Sequence, residues 1–281
     1  MLVSAAQLQA LIEAGAPLVI LDASFDLADI AAGERSYREG HIPGARYVHL
    51  DRDLSAPKTG QNGRHPLPPR DVFAATAGRL GLSPSTQVVV YDRQASMLAV
   101  RAWWMLRWLG HDAVAVLDGG LPAWQSAGGA LANASEPAPE LGPYPPRAPL
   151  VSSVNANDVQ KRIGLSRLID ARAPERFRGE VEPLDAQAGH IPGARNRFFK
   201  DNLLPDGRFK PAGQLRAEFE TLLAVGDASQ VVHQCGSGVT ACHNLLAMEI
   251  AGLRGSALYP GSWSEWSSDP ARPVARASSG A

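Results

Sequence analysis

The two cysteines of the chain, Cys235 and Cys242, are its most versatile reactive groups, and their surroundings differ. Cys235 ends an apolar run, QVVHQ, and opens the loop Gly236-Ser237-Gly238-Val239-Thr240, after which ACHNLLAMEI has helical composition. In open α/β sheets, ligands bind beyond the carboxyl end of a strand, where the next helix begins. The successive backbone N–H groups there, with the helix N-terminus, stabilise negative charge. A cysteine in that position is therefore favoured as the thiolate, the nucleophilic form. Gly236 and Gly238 let the main chain curl around the sulfur without Cβ clashes, and Ser237 and Thr240 add hydroxyl donors. A cradle that holds a thiolate also holds a persulfide. The ordinary alternative is an inert buried cysteine, but strand-end position, glycines and hydroxyls together favour chemistry. Cys242, in the following helix, is either a resolving thiol or plain core.

Other uses of a reactive cysteine fare worse. A tyrosine-phosphatase-type loop needs an arginine after five intervening residues to grip phosphate, and position 241 is alanine. Two cysteines are too few for a disulfide framework, and no further ligands stand at zinc-site spacing. No metal or organic cofactor is indicated. The net charge of −1 offers no basic face to nucleic acid or an anionic membrane. No window approaches about 18 consecutive apolar residues, so no membrane span is expected. The N-terminal MLVSAAQLQALIEAGAPLVILDAS lacks the basic start and cleavage site of a secretory signal. A cytoplasmic protein is expected.

The elements that must position Cys235 come as two copies of one unit. GHIPGAR occurs at residues 40–46 and again at 189–195. LVILDAS (18–24) is matched by SRLIDAR (166–172), QVVVYD (87–92) by QVVHQC (230–235), and LDGGLPAW (117–124) is echoed by LYPGSWSEW (258–266). A repeat period of roughly 150 residues means duplicated domains, since solenoid units are far shorter. The 281 residues suffice for two such cores. Residues 1–130 are read as the first domain, 131–150 as a stiff Pro-rich linker and 151–281 as the second.

In each copy, short apolar runs alternate with helix-length segments. Strands are expected at 19–22, 87–91 and 113–117, and at 167–170, 230–234 and 256–258. Helices are expected at 5–14, 71–80 and 98–109, and at 156–163, 212–223 and 241–251. That alternation predicts an α/β class with a parallel sheet flanked by helices in each domain. The first copy has Asp92 where the second has Cys235. An aspartate cannot carry sulfur, so the first domain is expected to be catalytically inactive and to serve as one wall of the cleft.

Taken together, GHIPGA in both copies, GRLGL (78–82), DGGLPAW, RFRG and CGSGVTAC make the chain resemble the 3-mercaptopyruvate sulfurtransferase and rhodanese family of tandem rhodanese-like domains. The resemblance runs over essentially the whole length. It implies that Cys235 takes sulfur from a small donor as a persulfide and passes it to a thiol or cyanide acceptor, a thioredoxin-like thiol among them. Thiosulfate-using members carry basic residues in the loop after the cysteine, whereas mercaptopyruvate members have the uncharged version seen here, so 3-mercaptopyruvate is the favoured donor and thiosulfate the alternative. A persulfide carrier that receives sulfur from another protein is a third reading.

By the same resemblance, Ser237 acts with His65 of GRHPLP and Asp51 of YVHLDRD on the leaving enolate. Arg176 of DARAPERFRG reads the donor carboxylate, and Gly236, Gly238, Val239 and Thr240 line its place. Such enzymes have a second substrate arginine shortly after RFRG. Here Leu184 stands near that place, so carboxylate or carbonyl binding is expected either to be weaker or to recruit Arg178, Arg195 or Arg197. The ordinary reading of His65 is an exposed loop histidine, and that of Arg176 a surface ion pair. His41 and His190 recur in both copies, one of them expected to be inactive, so a shared structural hydrogen bond is expected of them. His233 reads as a satisfied core residue. Trp103, Trp104 and Trp108 read as helix packing, and Trp124, Trp263 and Trp266 as structural residues after Gly-rich turns.

Overall fold

A computed structural model describes residues 1–134, 139, 141–164, 167–223 and 227–276. The chain divides into two compact units. The first comprises Met1–Ala56, Leu67–Leu150 and Pro205–Phe209; the second comprises Pro57–Pro66, Val151–Leu204 and Lys210–Ala281.

The first unit holds strands β1 (Leu2–Val3), β2 (Leu18–Asp22), β3 (Ala45–Tyr47), β4 (Gln87–Tyr91) and β5 (Val114–Leu117), in the order β1-β5-β4-β2-β3. The second holds β6 (Ser152–Ser153), β7 (Arg167–Asp170), β8 (Arg195–Asn196), β9 (Val231–Gln234) and β10 (Ala257–Leu258), in the equivalent order β6-β10-β9-β7-β8. Every pairing is parallel. The expected pair of parallel α/β sheets is what forms.

The central strands read as continuous apolar runs because helices cover both faces of a parallel sheet. Val88 through Tyr91 and Val231 through Gln234 are all buried. The opening helices of the two units, Ala5–Glu13 and Ala156–Lys161, start on the same device. Ser4 and Gln7 exchange bonds in a capping box, and Asn155 and Asp158 do likewise. The predicted strands at 87–91 and 167–170 and the helix at 212–223 form with those bounds, and the others differ by a residue or two at their ends.

The strand order determines where a ligand can go. From β2 the chain leaves toward β3 on one side, and from β4 it leaves toward β5 on the other. The carboxyl ends of β2 and β4, and equally of β7 and β9, therefore flank a topological switch point, where open α/β sheets have their crevice. Asp92 stands at that point in the first unit and Cys235 in the second.

Asp92 is fully buried, and its carboxylate fills the loop that follows β4. Oδ1 accepts from the N–H of Gln94 (2.8 Å) and Ser96 (2.9 Å), and Oδ2 from those of Leu98 (2.7 Å) and Ala99 (2.9 Å). The turn is tight enough to hold Ala95 and Ser96 at φ of 57° and 65°, a region costly for residues with a Cβ. The loop is thus an anion receptor whose anion is supplied by the chain itself.

The repeated histidines share one task. His41 Nδ1 bonds the Tyr37 carbonyl at 2.7 Å while its ring stacks on Tyr37, and His190 Nδ1 bonds the Phe177 carbonyl at 2.8 Å while stacking on Phe177. Each also makes an antiparallel bridge, His41 to Ala132 and His190 to Ala275, which ties the GHIPGA loop to the end of its own unit. Part of the Pro-rich stretch, 135–138 and 140, lies outside the described residues. Beyond it the chain is fastened to the first unit, with Tyr144, Arg147 and Leu150 donating to the carbonyls of Ala74, Leu109 and Arg107.

Replacing Asp92 with alanine leaves four converging N–H groups without an acceptor. The expected cost is about 3 kcal/mol or more, since each stranded buried donor costs about 1–3 kcal/mol. The change should appear as a lowered urea midpoint of the full chain, and an unchanged midpoint would contradict this account of the loop.

Candidate active site

In the second unit the equivalent loop curls around a sulfur. The N–H of Gly238 donates to Cys235 Sγ at 3.2 Å. The loop is clamped from the segment after β10: Cys235 N–H donates to Ser262 Oγ at 3.1 Å, while the N–H groups of Trp263 and Ser264 donate to the carbonyls of Cys235 (3.0 Å) and Gly236 (2.9 Å). Ser262 is held at φ 53° to do this, and its hydroxyl donates to the Tyr259 carbonyl. Gly238 has φ +76°, and a Cβ there would strike the Pro260 carbonyl. Glycine is required at that position on both counts.

Around this loop the structure gathers Ser237, His65 and Arg176. His65 Nδ1 lies 2.7 Å from Ser237 Oγ. His65 is 3% exposed and Ser237 7%, so the histidine is no surface loop residue. Arg176, on the short helix Pro174–Arg178, points one terminal nitrogen at the loop: Nη1 would lie 3.5 Å from a Cβ on Gly236. It is no surface pair either, since its partners Glu182 (2.6 Å) and Asp185 (3.2 Å) have side chains only 3% exposed. Asp51 lies in the other unit, on the helix Leu50–Asp53 that His49 caps. Val239 is buried, and Thr240 is half-buried just before the helix Ala241–Ile250 without capping it. Cys235 itself is 1% exposed. The contact made by its sulfur is to the Gly238 N–H.

The arginines expected to stand in for the missing one are spent elsewhere. Arg178 pairs with Glu180 in solvent, Arg195 bonds the Leu222 carbonyl, and Arg197 pairs with Glu218. Leu184 is 48% exposed. The second guanidinium at the loop belongs instead to Arg64, which the sequence reading passed over. Its Nη2 would lie 2.7 Å from a Cβ on Gly236, its Nη1 bonds Asp185, and its N–H donates to Ser264 Oγ. Its adjacency to His65 was the available signal. Glu182 and Asp185 were also missed, although the acidic run after RFRG marks them. The loop is uncharged in sequence but not in space. Arg64, Arg172 and Arg176 interlock with Asp170, Glu182 and Asp185, three cations against three anions. Arg172 also lies over the Trp263 ring, 4.7 Å from its centroid. Burial pushes the Asp185 carboxyl above its usual range, against the pull of Arg64 and Arg176.

Cys242 is fully buried, and its thiol donates to the Gly238 carbonyl at 3.5 Å, so it supports the loop from beneath. His233, two residues before Cys235, is less satisfied than expected. Nε2 meets the Met248 sulfur at 3.1 Å, and Nδ1 makes no hydrogen bond among the described residues.

The profile of the rhodanese-like domain matches residues 4–127 and again 155–269. A probable 3-mercaptopyruvate sulfurtransferase of Pseudomonas aeruginosa is 49% identical over 262 residues, covering 92% of each chain. A putative thiosulfate sulfurtransferase, SseB, of Mycobacterium tuberculosis is 43% identical over 281 residues, covering 98% of this chain and 96% of that one. Among solved structures, the 3-mercaptopyruvate sulfurtransferase SseA of Escherichia coli superposes with a TM-score of 0.80 at 33% identity, covering 94% of this chain and 99% of that one. The fold and site therefore define a protein of two rhodanese-like domains. The chain belongs to the family of 3-mercaptopyruvate sulfurtransferases and rhodaneses, and it is a sulfurtransferase. No helix among the described residues is long and apolar enough to cross a membrane.

Two outcomes follow from the geometry. Gly238→Ala combines positive φ with a backbone clash and is expected to cost about 2 kcal/mol or more, with sulfur transfer falling below a hundredth of wild type in a standard assay. Burial holds the His233 pKa down at about 3, below its unfolded value near 6.5. The unfolded chain therefore takes up this proton first, so the stability contribution is full above about pH 6.5 and is lost as pH falls toward 3. His233→Leu should show a smaller drop in urea midpoint than wild type between about pH 7.5 and 5, and equal drops would contradict the assignment.

Proposed function

We propose that this sulfurtransferase uses 3-mercaptopyruvate as donor and carries the transferred sulfur on Cys235. The observation that carries the reading is the loop itself: a Gly238 amide on the sulfur, with Ser237 two residues along bonded to His65. In the first half-reaction the Cys235 thiolate attacks the donor sulfur. A new S–S bond forms, the donor C–S bond breaks, and its electron pair leaves on the pyruvate enolate. The enolate takes up a proton to give pyruvate, and the His65–Ser237 pair is placed to relay it beside the loop. The outer sulfur then passes to an acceptor thiolate or cyanide, which frees the Cys235 thiolate. Arg176 reads the donor carboxylate.

The charge balance supports a monocarboxylate donor over dianionic thiosulfate. The guanidinium groups at the loop are already matched by Asp170, Glu182 and Asp185, so the site holds no surplus of positive charge for a dianion. Both cysteines are free thiols, which fits a reducing cytoplasm and a thiol acceptor. The first unit, with Asp92 in its own anion loop, carries no sulfur in this reading.

Cys235→Ser is expected to abolish transfer from every donor, while Cys242→Ser keeps most of it. Retained transfer in the first variant would end the proposal. In side-by-side kinetics, kcat/KM for 3-mercaptopyruvate should exceed that for thiosulfate. A tenfold preference for thiosulfate, about 1.4 kcal/mol in transition-state stabilisation, would reverse the choice of donor.

A further inference from the structure

Two guanidinium groups, from segments far apart in sequence, converge on the backbone of Gly236, the residue next to the reactive sulfur. Arg176 comes from the helix after β7, and Arg64 from the 57–66 segment of the second unit. Both bond one carboxylate, Asp185, through different oxygens: Arg64 to Oδ1 and Arg176 to Oδ2. Two guanidinium groups bridged by one carboxylate form a receptor for a carboxylate.

The neighbouring Glu182 differs from Asp185 in how firmly it is held. It accepts from Arg172 and Arg176 and from the N–H groups of Leu184 and Asp185, so main-chain bonds fix it in place. Among the described residues, the side-chain bonds to Asp185 come from the two loop-facing arginines. Arg176 Nε, moreover, is buried without a hydrogen-bond partner among the described residues, a donor still available.

We propose that Arg64 is a second specificity-determining arginine of this enzyme, which with Arg176 grips the carboxylate of the sulfur donor in the place Asp185 occupies at rest. The inference rests on the reading of Cys235 as the sulfur carrier and adds the substrate-binding role of Arg64. It also gives Gly236 a reason to lack a side chain, since a Cβ there would press on Arg64 Nη2 at 2.7 Å. An exchange of one carboxylate for another keeps the site's charge balanced when Asp185 swings out to water. A neutral donor would gain nothing from this arrangement.

The test compares alkylation of Cys235 by iodoacetate and by its neutral isostere iodoacetamide, on a Cys242→Ser background of the full chain. The ratio of the two rates reports whether a carboxylate is drawn to the sulfur, whichever donor the enzyme uses. Arg64→Gln and Arg176→Gln are each expected to lower that ratio at least fivefold, while Arg178→Gln, which changes a solvent-exposed pair, leaves it within twofold. Asp185→Asn, which removes the competing carboxylate, should raise it. Should Arg64→Gln fail to fold, Arg64→Lys keeps the charge without the fork and is expected to lower the ratio by a smaller factor. In steady state, Arg64→Gln should raise KM for 3-mercaptopyruvate about tenfold, a loss of about 1.4 kcal/mol, with kcat changed less than threefold. An alkylation ratio unchanged in the Arg64 variants overturns the proposal. If wild type turns over no 3-mercaptopyruvate, the donor assignment fails, and the ratio still decides the role of Arg64.

Discussion

The constraint on which the structure depends is a strand-to-helix loop whose main-chain N–H groups converge on negative charge. In the second unit the proposed bearer of that charge is a sulfur, with the Gly238 amide 3.2 Å from Cys235 Sγ. In the first it is the Asp92 carboxylate, held by four amides. The duplicated fold thus shows one receptor with two occupants. A carboxylate has two oxygens to satisfy and no reactivity toward sulfur, so it closes the loop as structure. A thiolate has a single atom to satisfy and can extend by one more sulfur. The strand order and switch point are the same in both units, so what differs is the loop residues set on that shared frame.

The loop depends in turn on the elements that hold it. Ser262, strained at positive φ, receives the Cys235 N–H, and the two residues after it bond the carbonyls of Cys235 and Gly236. Trp263 continues the chain of support outward: its indole N–H bonds the Gln187 carbonyl, and its ring carries Arg172. Arg172 pairs with Asp170 at the end of β7 and with Glu182, which orients Arg176. Arg176, beside Gly236, is therefore anchored by Glu182, which main-chain bonds hold in turn.

Much of this was legible in the sequence. The repeated GHIPGAR and the two QVV runs gave away the duplication, because identical backbone tasks require identical residues. The stacked His41 and His190 are the clearest case. Cys235 was readable because local features place it: strand, glycines and helix are contiguous. Arg64 and Asp185 were not readable, since their meeting depends on how the 57–66 segment and the loop after RFRG fold onto one another, which no local pattern encodes. The loop's neutral composition concealed the two cations beside it for the same reason. The arginine that reaches Gly236 stands more than a hundred residues before Leu184 in the chain. His233 went the same way: its composition signalled core, but the bonding of its ring depends on Met248 in the next helix.

The central claim is that one sulfur atom rests covalently on Cys235 between the two half-reactions. It is tested most directly by mixing the full-length enzyme with 3-mercaptopyruvate in the absence of any acceptor and measuring its mass, intact and by peptide. The account predicts a gain of one sulfur atom, located on the peptide containing Cys235 and lost when a thiol acceptor is added. Pyruvate released with no mass gain on that peptide, or a gain located on Cys242, would contradict it.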